Sequence, residues 1–354
     1  MVYHFFPQGI YANQFIDFMR KNTDKLYNEH KFLFLSYGET EPNKIFDSKD
    51  CANVYSFFSI LKIFLFAKKD DRFIIHNYTH PYLYLSTACM CWKLKKVAWI
   101  IWGGDLYWHN SPKKKIKHKC YEILKQLTIK NFGYICTCDA MEFNLAKEYY
   151  GAEGKNYHIQ YPLSFIDFPN IKVKNYLAVL LGNSRDTQNN HIEALEFLSK
   201  FKDENIKIYV PLSYGDCPDG YVESVDKKGK SLFANKYIAI KDMMDLKSYQ
   251  EFLSKIDIMV CNHNRQQALG NLFLFLKNKK KIFIRTRIAT ENYFNTKGLK
   301  FFLTDDIENM SFEEFKYFSQ QDGELNESII TKMFSDETLV EQWNNFFINL
   351  TRLT

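Results

Sequence analysis

The sequence predicts an α/β protein made of two doubly wound, mostly parallel sheets in tandem. Short apolar segments alternate with helical patterns along the whole chain, as expected for repeated βαβ units. The 354 residues exceed the length of one typical hydrophobic core. The alternation restarts after the linker-like stretch YPLSFIDFPNIKVKN, so we assign residues 1–165 and 176–354 to two domains.

The first half contains apolar segments of strand length with helical patterns between them. Strands are predicted at 2–6, 31–36, 72–76, 97–102, 134–138 and 157–161. Helices are predicted near 10–22, 52–67, 81–92, 112–130 and 139–150. Asp139 and Glu142 have the spacing of a capping box, and Gly151 has the position of a helix C-cap. These signals define the ends of the last helix.

The second half repeats the pattern and ends in a tail from 311 to 350 that is predicted to be wholly helical. Strands are predicted at 176–182, 206–212, 236–240, 257–261, 280–285 and 299–303. Sheets of this kind bind ligands at the carboxyl ends of their strands. We therefore expect the ligand crevice between the two domains, with functional residues in the loops that follow the strands.

The composition indicates a soluble globular protein, with 46% hydrophobic and 25% charged residues. The longest apolar run, residues 57–67, contains Lys62 and is shorter than the roughly 20 residues that span a membrane. No secretory signal pattern opens the chain. The eight cysteines are scattered without zinc-site spacing, so we expect reduced thiols, a cytoplasmic location and no metal site.

The net charge of +6 derives from the first half, where a basic run follows Ser111 and Pro112, the predicted start of a helix. Cations are unfavourable at a helix N-terminus, so helix stability does not explain the run. It indicates either an anionic partner, such as the inner face of the cell membrane, or an ordinary solvated face. Nucleic acid is disfavoured, because no stacking aromatics alternate with the lysines. The lysines are Lys113, Lys114, Lys115, Lys117 and Lys119.

The segment VCNHNRQQALGN has the layout of an anion-binding site. An apolar strand leads into Arg265, Gln266 and Gln267, and a helical pattern begins around Gly270 and Asn271. Unpaired backbone N–H groups at a helix start attract phosphate, and an adjacent arginine can hold it through two hydrogen bonds. The alternative is an ordinary turn with Arg265 as a solvated charge.

Two other strand ends in the second half are candidate donor-site elements. LLGNSRDTQNN carries Gly182, Asn183, Ser184 and Arg185 before a helix, which is typical either of a phosphate-binding turn or of a capped turn. VPLSYGD presents Tyr214, whose ring could stack on a base or sugar. Neither G-x-G-x-x-G nor a P-loop motif is present, which disfavours nicotinamide and P-loop chemistry.

The first half contributes candidate catalytic and acceptor-site residues. WIIWGGDLYWH places Asp105 after Gly103 and Gly104 and before Tyr107. RFIIHNYTHP has one histidine at a strand end and a second four residues later, namely His76 and His80. A carboxylate or imidazole at a strand end can act as a general base towards an acceptor hydroxyl. The alternatives are a loop-fixing carboxylate and a hydrogen-bonded structural histidine.

The strings WGGDLYWH, LLGNSRDTQNNHIEAL, VPLSYGD and RQQALGN, in this order, resemble the 4-alpha-L-fucosyltransferase family, glycosyltransferase family 56. The strand-terminal histidine of the family falls on His76. Its W-G-x-D-L-Y motif falls on residues 102–107, its G-N-S on 182–184 and its R-Q-Q on 265–267. One departure is Leu269-Gly270-Asn271, where the family has Gly-x-Gly.

The resemblance implies the GT-B fold and transfer of an amino-deoxyhexose from a nucleotide-sugar, with dTDP as the nucleotide. The acceptor would be a polyprenyl-diphosphate-linked glycan held by the first domain, at the cytoplasmic face of the membrane, where the enzyme would be peripheral. No cofactor or metal is implied, since no D-x-D is present and Arg265 with a helix dipole can neutralise the diphosphate. The alternatives are a nucleotide-sugar 2-epimerase and a non-catalytic sugar- or nucleotide-binding module.

Overall fold

The structure is a computed structural model that describes residues 1–7, 9–26, 29–35, 50–54, 56–111, 115–169 and 174–352. The chain forms two compact units. Unit 1 comprises residues 1–164 and 333–354, and unit 2 comprises residues 165–332. Each unit is built on one parallel sheet, as the alternating sequence pattern predicts.

Unit 1 contains a seven-stranded parallel sheet in the order β3-β2-β1-β4-β5-β6-β7. The order reverses at β1 and β4, which is the switch point of a doubly wound sheet. The strands are β1 Val2–Pro7, β2 His30–Leu35, β3 Cys51–Val54, β4 Arg72–His76, β5 Val97–Ile100, β6 Tyr134–Thr137 and β7 Lys155–His158.

Helices cover both faces of this sheet. One face packs against Phe64, Leu83 and Ile129 from three helices, and the other packs against Phe15 and Trp343. The helices of unit 1 are α1 Ile10–Lys21, α2 Phe57–Phe66, α3 Pro81–Cys89, α4 Gly104–Tyr107, α5 Ile116–Ile129, α6 Ala140–Tyr150 and, near the end of the chain, α14 Asp336–Arg352.

Unit 2 contains a six-stranded parallel sheet in the order β10-β9-β8-β11-β12-β13. The strands are β8 Leu177–Leu181, β9 Ile206–Pro211, β10 Tyr237–Ile240, β11 Ile258–Cys261, β12 Lys281–Ile284 and β13 Phe302–Leu303. The helices are α7 His191–Leu198, α8 Tyr221–Phe233, α9 Leu246–Ser254, α10 Leu269–Lys277, α11 Ala289–Lys297, α12 Phe312–Lys316 and α13 Gln320–Met333. Because β8 and β11 are neighbours, the loops that follow them meet at one edge of the sheet.

The last helix belongs to unit 1, which corrects the predicted second domain of 176–354. Its apolar side, including Trp343 and Phe347, is fully buried against the sheet of unit 1. Trp343 Nε1 donates to the Gln160 carbonyl at 3.0 Å, and Arg72 Nε donates to the Leu350 carbonyl at 2.7 Å. Apolar burial and buried hydrogen bonds therefore hold this helix on the first sheet.

Two local predictions in unit 1 are wrong. The helix predicted near 52–67 begins only at Phe57, and Cys51–Val54 form β3, which pairs with β2. The helix predicted near 112–130, with Ser111 as its cap, begins at Ile116, with Lys115 at its N-cap. The predicted cap at Asp139 is confirmed, since its carboxylate accepts from the N–H groups of Met141 and Glu142. Among the described helices, none combines the length and apolarity that a membrane span requires.

Candidate active site

Two predicted loops, after β8 and after β11, come together at the carboxyl edge of the unit 2 sheet. Gln267 Nε2 lies 3.2 Å from Asn183 Oδ1 and 3.2 Å from Ser184 Oγ. The R-Q-Q and G-N-S segments therefore share one hydrogen-bonded cluster, although they are far apart in the sequence.

Gly182 makes the tight turn out of β8 possible. Its φ of +70° lies in the left-handed region. A Cβ at this position would lie 2.7 Å from Asn189 Oδ1 and 2.9 Å from His191 Nε2. The same Asn189 oxygen accepts from the N–H of Asn183 at 2.9 Å. The turn is thus closed by a side chain that a larger residue at 182 would displace.

The third predicted junction, around Tyr214, joins the same cluster. Asn183 Nδ2 donates to the Tyr214 hydroxyl at 2.8 Å, and Arg185 N–H donates to the Tyr214 carbonyl at 2.9 Å. Arg185 Nε donates to the Gly215 carbonyl at 2.5 Å. Tyr214 remains exposed. The three strand-end loops that the sequence singled out in the second half therefore form one contiguous polar surface.

Arg265 is part of an ion pair and is not a free surface charge. Its guanidinium lies 2.9 Å from Asp186 Oδ2, and its side chain is 18% exposed. Asp186 is itself held in place, because its other carboxylate oxygen accepts from the Gln188 N–H. A guanidinium offers five N–H donors, so a phosphate oxygen can share Arg265 with Asp186.

Helix α10 starts directly beside Arg265. Its N-cap residue, Ala268, has φ +59° and forms no side-chain cap hydrogen bond. Gly270 and Asn271 lie in the first turn, and Asn271 Nδ2 donates to the Tyr249 hydroxyl at 2.8 Å. The positive end of the helix dipole therefore lies next to the arginine, the arrangement that favours a bound anion.

Two buried acceptor atoms in this loop have no partner within the described part of the chain. They are the side-chain oxygens of Gln266 and Gln267. Buried polar atoms are almost always hydrogen-bonded, so an unsatisfied pair at the edge of a sheet calls for an explanation. A ligand that presents N–H or O–H groups would satisfy both.

Sequence reasoning missed the residues that support these loops. His263 Nε2 lies 2.9 Å from Asn189 Oδ1, and His191 Nδ1 lies 3.0 Å from the Tyr221 hydroxyl. Burial lowers the pKa of His191 to about 4 and that of His263 to about 3, so both imidazoles are neutral at pH 7. The signal that could have found His191 is the polar run N-N-H at 189–191, which is unusually polar for the start of a buried helix.

A cavity of about 460 Å³ lies at the carboxyl ends of β11, β12 and β13 and was also missed. Arg285 is positioned there by Glu193, whose carboxylate accepts from both Nη1 and Nη2 of the guanidinium. Asn264 links the cavity to the β8 loop, because its side chain accepts from Asn190 Nδ2 at 2.8 Å. The lining residues are Asn264, Arg285, Thr286, Arg287, Ile288 and Asp305.

In unit 1, Asp105 is fully buried and its carboxylate accepts several hydrogen bonds. Oδ2 accepts from Tyr78 N–H at 2.9 Å and from Trp99 Nε1 at 2.6 Å, and Oδ1 accepts from Trp102 N–H at 3.1 Å. Burial raises the pKa of Asp105, while the Trp99 hydrogen bond and the nearby Lys125 ammonium oppose that rise. Of the two roles that the sequence left open, this geometry supports the loop-fixing carboxylate.

Asp105 stabilises the loop that holds the other candidates from the same motif. Gly103 is the N-cap of α4, Gly104 begins that helix, and Tyr107 ends it. The buried Lys125 Nζ donates to the Asp105 backbone carbonyl at 2.6 Å. The motif therefore forms a rigid turn at the carboxyl end of β5.

His76 lies in a buried row of imidazoles. Its Nε2 is 3.0 Å from His4 Nδ1, and His4 Nε2 is 2.9 Å from His30 Nδ1. The ring of His76 also stacks on Phe6, with centroids 3.8 Å apart. Burial lowers the pKa of both His76 and His4 well below 6.5. This arrangement supports the hydrogen-bonded structural role for His76.

His80 is buried at a helix start, whereas the described part of the lysine run is exposed. His80 is the N-cap of α3, where Nδ1 accepts from the Tyr82 N–H at 3.2 Å, and burial lowers the pKa of His80 to about 4. Lys113 and Lys114 lie outside the described residues. Lys115, Lys117 and Lys119 are exposed at the start of α5. Over the described ranges, no three His, Cys, Asp or Glu residues form a group that could hold a metal ion.

The whole chain has counterparts among known proteins. A family model described as 4-alpha-L-fucosyltransferase, glycosyl transferase group 56, matches residues 15–350. A glycosyltransferase from Rickettsia africae ESF-5 is similar in structure over 100% of this chain and 99% of that chain, with 14% identity and a TM-score of 0.68. Sucrose-phosphate synthase from Thermosynechococcus elongatus is similar over 100% and 99%, with 9% identity and a TM-score of 0.71.

A third similar structure is described as trehalose-6-phosphate from E. coli bound with UDP-2-fluoro glucose. It covers 100% of this chain and 99% of that chain, with 8% identity and a TM-score of 0.69. At such identities, likeness of structure shows the fold alone. Together with the two parallel sheets, it confirms the predicted GT-B fold.

Proposed function

Because the chain belongs to the 4-alpha-L-fucosyltransferase family, glycosyltransferase group 56, we propose that it transfers an amino-deoxyhexose similar to N-acetylfucosamine from a dTDP-sugar. The proposed acceptor is a polyprenyl-diphosphate-linked glycan of a bacterial surface polysaccharide. The observation that carries the proposal is the polar cluster of unit 2. It combines an arginine, a helix N-terminus and the two unsatisfied oxygens of Gln266 and Gln267.

This cluster matches the chemistry of a nucleotide-diphospho-sugar. The diphosphate offers only acceptor oxygens, which suit Arg265 and the N–H groups at the start of α10. The base and sugars offer N–H and O–H donors, which suit the glutamine oxygens. Exposed Tyr214 adds an aromatic face for a ring. Unit 2 is accordingly proposed as the donor-binding domain.

The same groups would stabilise the leaving diphosphate. Negative charge grows on the nucleotide as the glycosidic bond to the phosphate breaks, and fixed donors aimed at that charge lower the barrier. Asp186 holds the Arg265 guanidinium in position before the donor arrives, at 2.9 Å. The arginine therefore need not be ordered during the reaction.

We assign acceptor binding to unit 1, at the loops that follow β4 and β5. The support is that Asp105 and His80 hold these loops through side-chain hydrogen bonds to backbone N–H groups. In this proposal the two residues position the acceptor loops and do not touch the reacting atoms.

The decisive experiment is replacement of Arg265. Arg265→Ala should raise the Kd for dTDP by about tenfold or more, because a charge-assisted hydrogen bond to a phosphate contributes about 1.5–3 kcal/mol. Calorimetric titration with dTDP measures the change. Unchanged affinity would remove Arg265 from the donor site.

Two further variants control this measurement. Arg20→Ala removes another ion-paired arginine, 3.0 Å from Asp50 in unit 1, and should leave dTDP affinity unaltered. Asp186→Asn leaves the Arg265 charge in place, so it should weaken dTDP binding much less than Arg265→Ala does. If Asp186→Asn is equally damaging, Arg265 acts by holding the loop.

The proposed mechanism also predicts that transfer does not depend on a divalent metal. Arg265 and the start of α10 supply the neutralising charge, so transfer from a dTDP-sugar to a lipid-linked glycan should persist in EDTA. The rate is measured with and without chelator, on a panel of nucleotide sugars that also identifies the donor. Loss of activity in EDTA that Mg²⁺ or Mn²⁺ restores would contradict this mechanism.

A further inference from the structure

Three helices of unit 1 lie side by side on one face of the sheet. Helix α2 packs beside α3, and α3 packs beside α5. Their inner sides contribute Ile60, Phe64, Leu83 and Ile129 to the core. The outer sides of such helices are normally polar, because they face water.

Here the outer sides of the helices, and the turn that follows α3, carry large apolar residues. Ile116, Phe66, Phe58 and Trp92 are 81%, 77%, 70% and 67% exposed. Scattered exposed apolar residues are normal, but a contiguous group marks a surface that binds something. We call this group the apolar helix face. It consists of Phe58, Phe66, Trp92, Ile116, Ile123 and Leu127.

Hydrogen bonds and ring contacts join the three helices into one surface. Lys93 Nζ donates to the carbonyls of Leu65 at 3.1 Å and Ala67 at 3.3 Å, which ties the turn with Trp92 to the end of α2. The rings of Tyr84 on α3 and Tyr121 on α5 lie 5.5 Å apart. The three helices therefore form one packed layer, and the apolar helix face lies on its outer side.

The charged residues of the three helical segments themselves have almost all the same sign. In the segments 56–69, 81–96 and 115–130, every Asp, Glu, Lys or Arg residue is a lysine except Glu122. Glu122 is buried, and its Oε1 lies 2.6 Å from His109 Nδ1. The apolar side chains are thus accompanied by exposed lysines, a combination that is complementary to an anionic partner. These lysines include Lys62, Lys115, Lys117 and Lys119.

An anionic lipid surface fits this combination best. A symmetric dimer through the same face would place lysines opposite lysines, because a two-fold interface pairs a patch with itself. Aromatic and aliphatic side chains at the headgroup–acyl boundary, with lysines reaching to the headgroups, are the pattern of proteins that lie on membranes. We propose that the apolar helix face inserts into the surface of an anionic phospholipid bilayer.

The proposal differs from the interpretation of the lysine run alone. The run 113–119 predicted purely electrostatic attachment, whereas the structure adds three helices with apolar side chains that can enter the lipid. The biological reason for docking rests on the proposed function, since a polyprenyl-linked acceptor resides in the membrane. The physical argument depends only on unit 1.

The test compares two matched triple variants by co-sedimentation with phosphatidylcholine vesicles, with and without phosphatidylglycerol. Phe66→Gln/Trp92→Gln/Leu127→Gln removes part of the face. Its partition coefficient on anionic vesicles should fall more than tenfold. The control, Met243→Gln/Leu246→Gln/Tyr317→Gln, removes exposed apolar residues of unit 2 and should bind like wild type.

A second pair of variants tests the charge. Lys115→Gln/Lys117→Gln/Lys119→Gln should bind anionic vesicles at least threefold more weakly and depend less on salt. Lys202→Gln/Lys227→Gln/Lys247→Gln changes the same number of exposed lysines in unit 2 and should have no effect. Equal losses in both lysine variants would show that overall charge, and not this surface, drives binding.

Exposed cysteines provide a footprint of the bound surface. Cys89, Cys91 and Cys120 are exposed on or beside the three helices, whereas Cys217 lies in unit 2. Anionic vesicles should slow maleimide labelling of the first three at least fivefold, as measured by mass spectrometry, and leave Cys217 unchanged. Protection that is equal at all four sites would overturn the proposal.

The remaining outcomes are also decisive. The docking proposal is overturned if wild-type protein does not bind anionic vesicles. It is also overturned if the protein forms a concentration-dependent dimer that the apolar triple variant abolishes in analytical ultracentrifugation.

dTDP titration of the same triple variant separates the docking proposal from the proposed function. Intact dTDP binding without any wild-type vesicle binding refutes the docking alone. Loss of the urea unfolding transition seen by tryptophan fluorescence, which reports on unit 1, would instead indicate a folding defect, and single Phe66→Gln and Leu127→Gln variants then replace the triple variant.

Discussion

The candidate residues at the carboxyl edges of the two sheets differ in how much of their hydrogen-bonding capacity is used. In unit 1, Asp105 accepts three hydrogen bonds in a fully buried site, and His76 is bonded within a row of imidazoles. In unit 2, Gln266 and Gln267 keep side-chain oxygens without a partner among the described residues. A polar residue at a strand end therefore indicates a ligand site only where hydrogen-bonding capacity is left over.

The largest effect expected from this difference is loss of stability on replacing Asp105. Asp105→Asn keeps one acceptor oxygen, but its NH₂ group faces either Trp102 N–H or the donors from Tyr78 and Trp99. Leaving a buried donor unpaired and removing the charge near Lys125 should lower the free energy of unfolding by about 3 kcal/mol or more. All five tryptophans lie in unit 1, so tryptophan fluorescence during urea unfolding measures the change there.

The control for this experiment is Asp70→Asn, which removes an exposed carboxylate of the same unit and should change stability little. The contrast between the two sheets would be contradicted if Asp105→Asn unfolded at the same urea concentration as wild type while its turnover fell about a hundredfold. That result would return Asp105 to the role of a catalytic base.

The next effect concerns the turn after β8 in unit 2. Gly182→Ala places a Cβ at positive φ, which costs about 1–3 kcal/mol, and also forces it against Asn189 and His191. Stability should fall, and the Kd for dTDP should rise, because Asn183 is bonded to the displaced Asn189. Circular dichroism during unfolding and calorimetry measure the two quantities.

Gly220→Ala is a matched control for the turn. Gly220 has φ +78°, close to the value at Gly182, but a Cβ there would meet no atom within 4 Å. Gly220→Ala therefore introduces the same backbone strain as Gly182→Ala without a steric clash. It should be less destabilising and leave dTDP affinity unchanged. Equal effects of the two variants would mean that Gly182 is required only for its backbone conformation.

Much of the fold could be predicted because apolar strands and amphipathic helices differ in period. The strand β3 was not predicted because the segment CANV is short and only its last residue is buried. It therefore lacks a clear alternation of apolar and polar residues. The position of α14 on the first sheet was not predicted for another reason. A helical pattern reveals an apolar face but not which of two sheets that face covers, and Trp343 packs on the first sheet.

The candidate site, like the fold, could be predicted from the sequence only in part. The loops with Gly182, Tyr214 and Arg265 could be predicted, since strand ends and polar turns are local features of a sequence. Their partners could not, because Asn189 reaches His263 only in the folded chain, at 2.9 Å. The choice between a catalytic and a loop-fixing role for Asp105 depends on the burial of its carboxylate, and burial is a property of the tertiary structure.

The smallest expected effect tests whether buried histidines behave alike in the two units. His76 in unit 1 and His263 in unit 2 have pKa values lowered by burial, the latter to about 3. Below pH 6.5 the unfolded chain binds a proton at each position that the folded chain does not bind. Stability should therefore fall as the pH falls, by about 1.4 kcal/mol per pH unit for each histidine.

Replacing either histidine with glutamine should remove its share of that slope between pH 6.5 and 5. Fluorescence follows His76→Gln in unit 1, and circular dichroism follows His263→Gln. Above pH 7.5 neither imidazole is charged in either state, so the difference from wild type there measures only the lost packing and hydrogen bonds. A slope that stays at the wild-type value in His76→Gln would mean that this imidazole binds its proton equally well when folded. The row of histidines in unit 1 would then bind a proton in the folded protein, and the buried histidines of the two units would not behave alike.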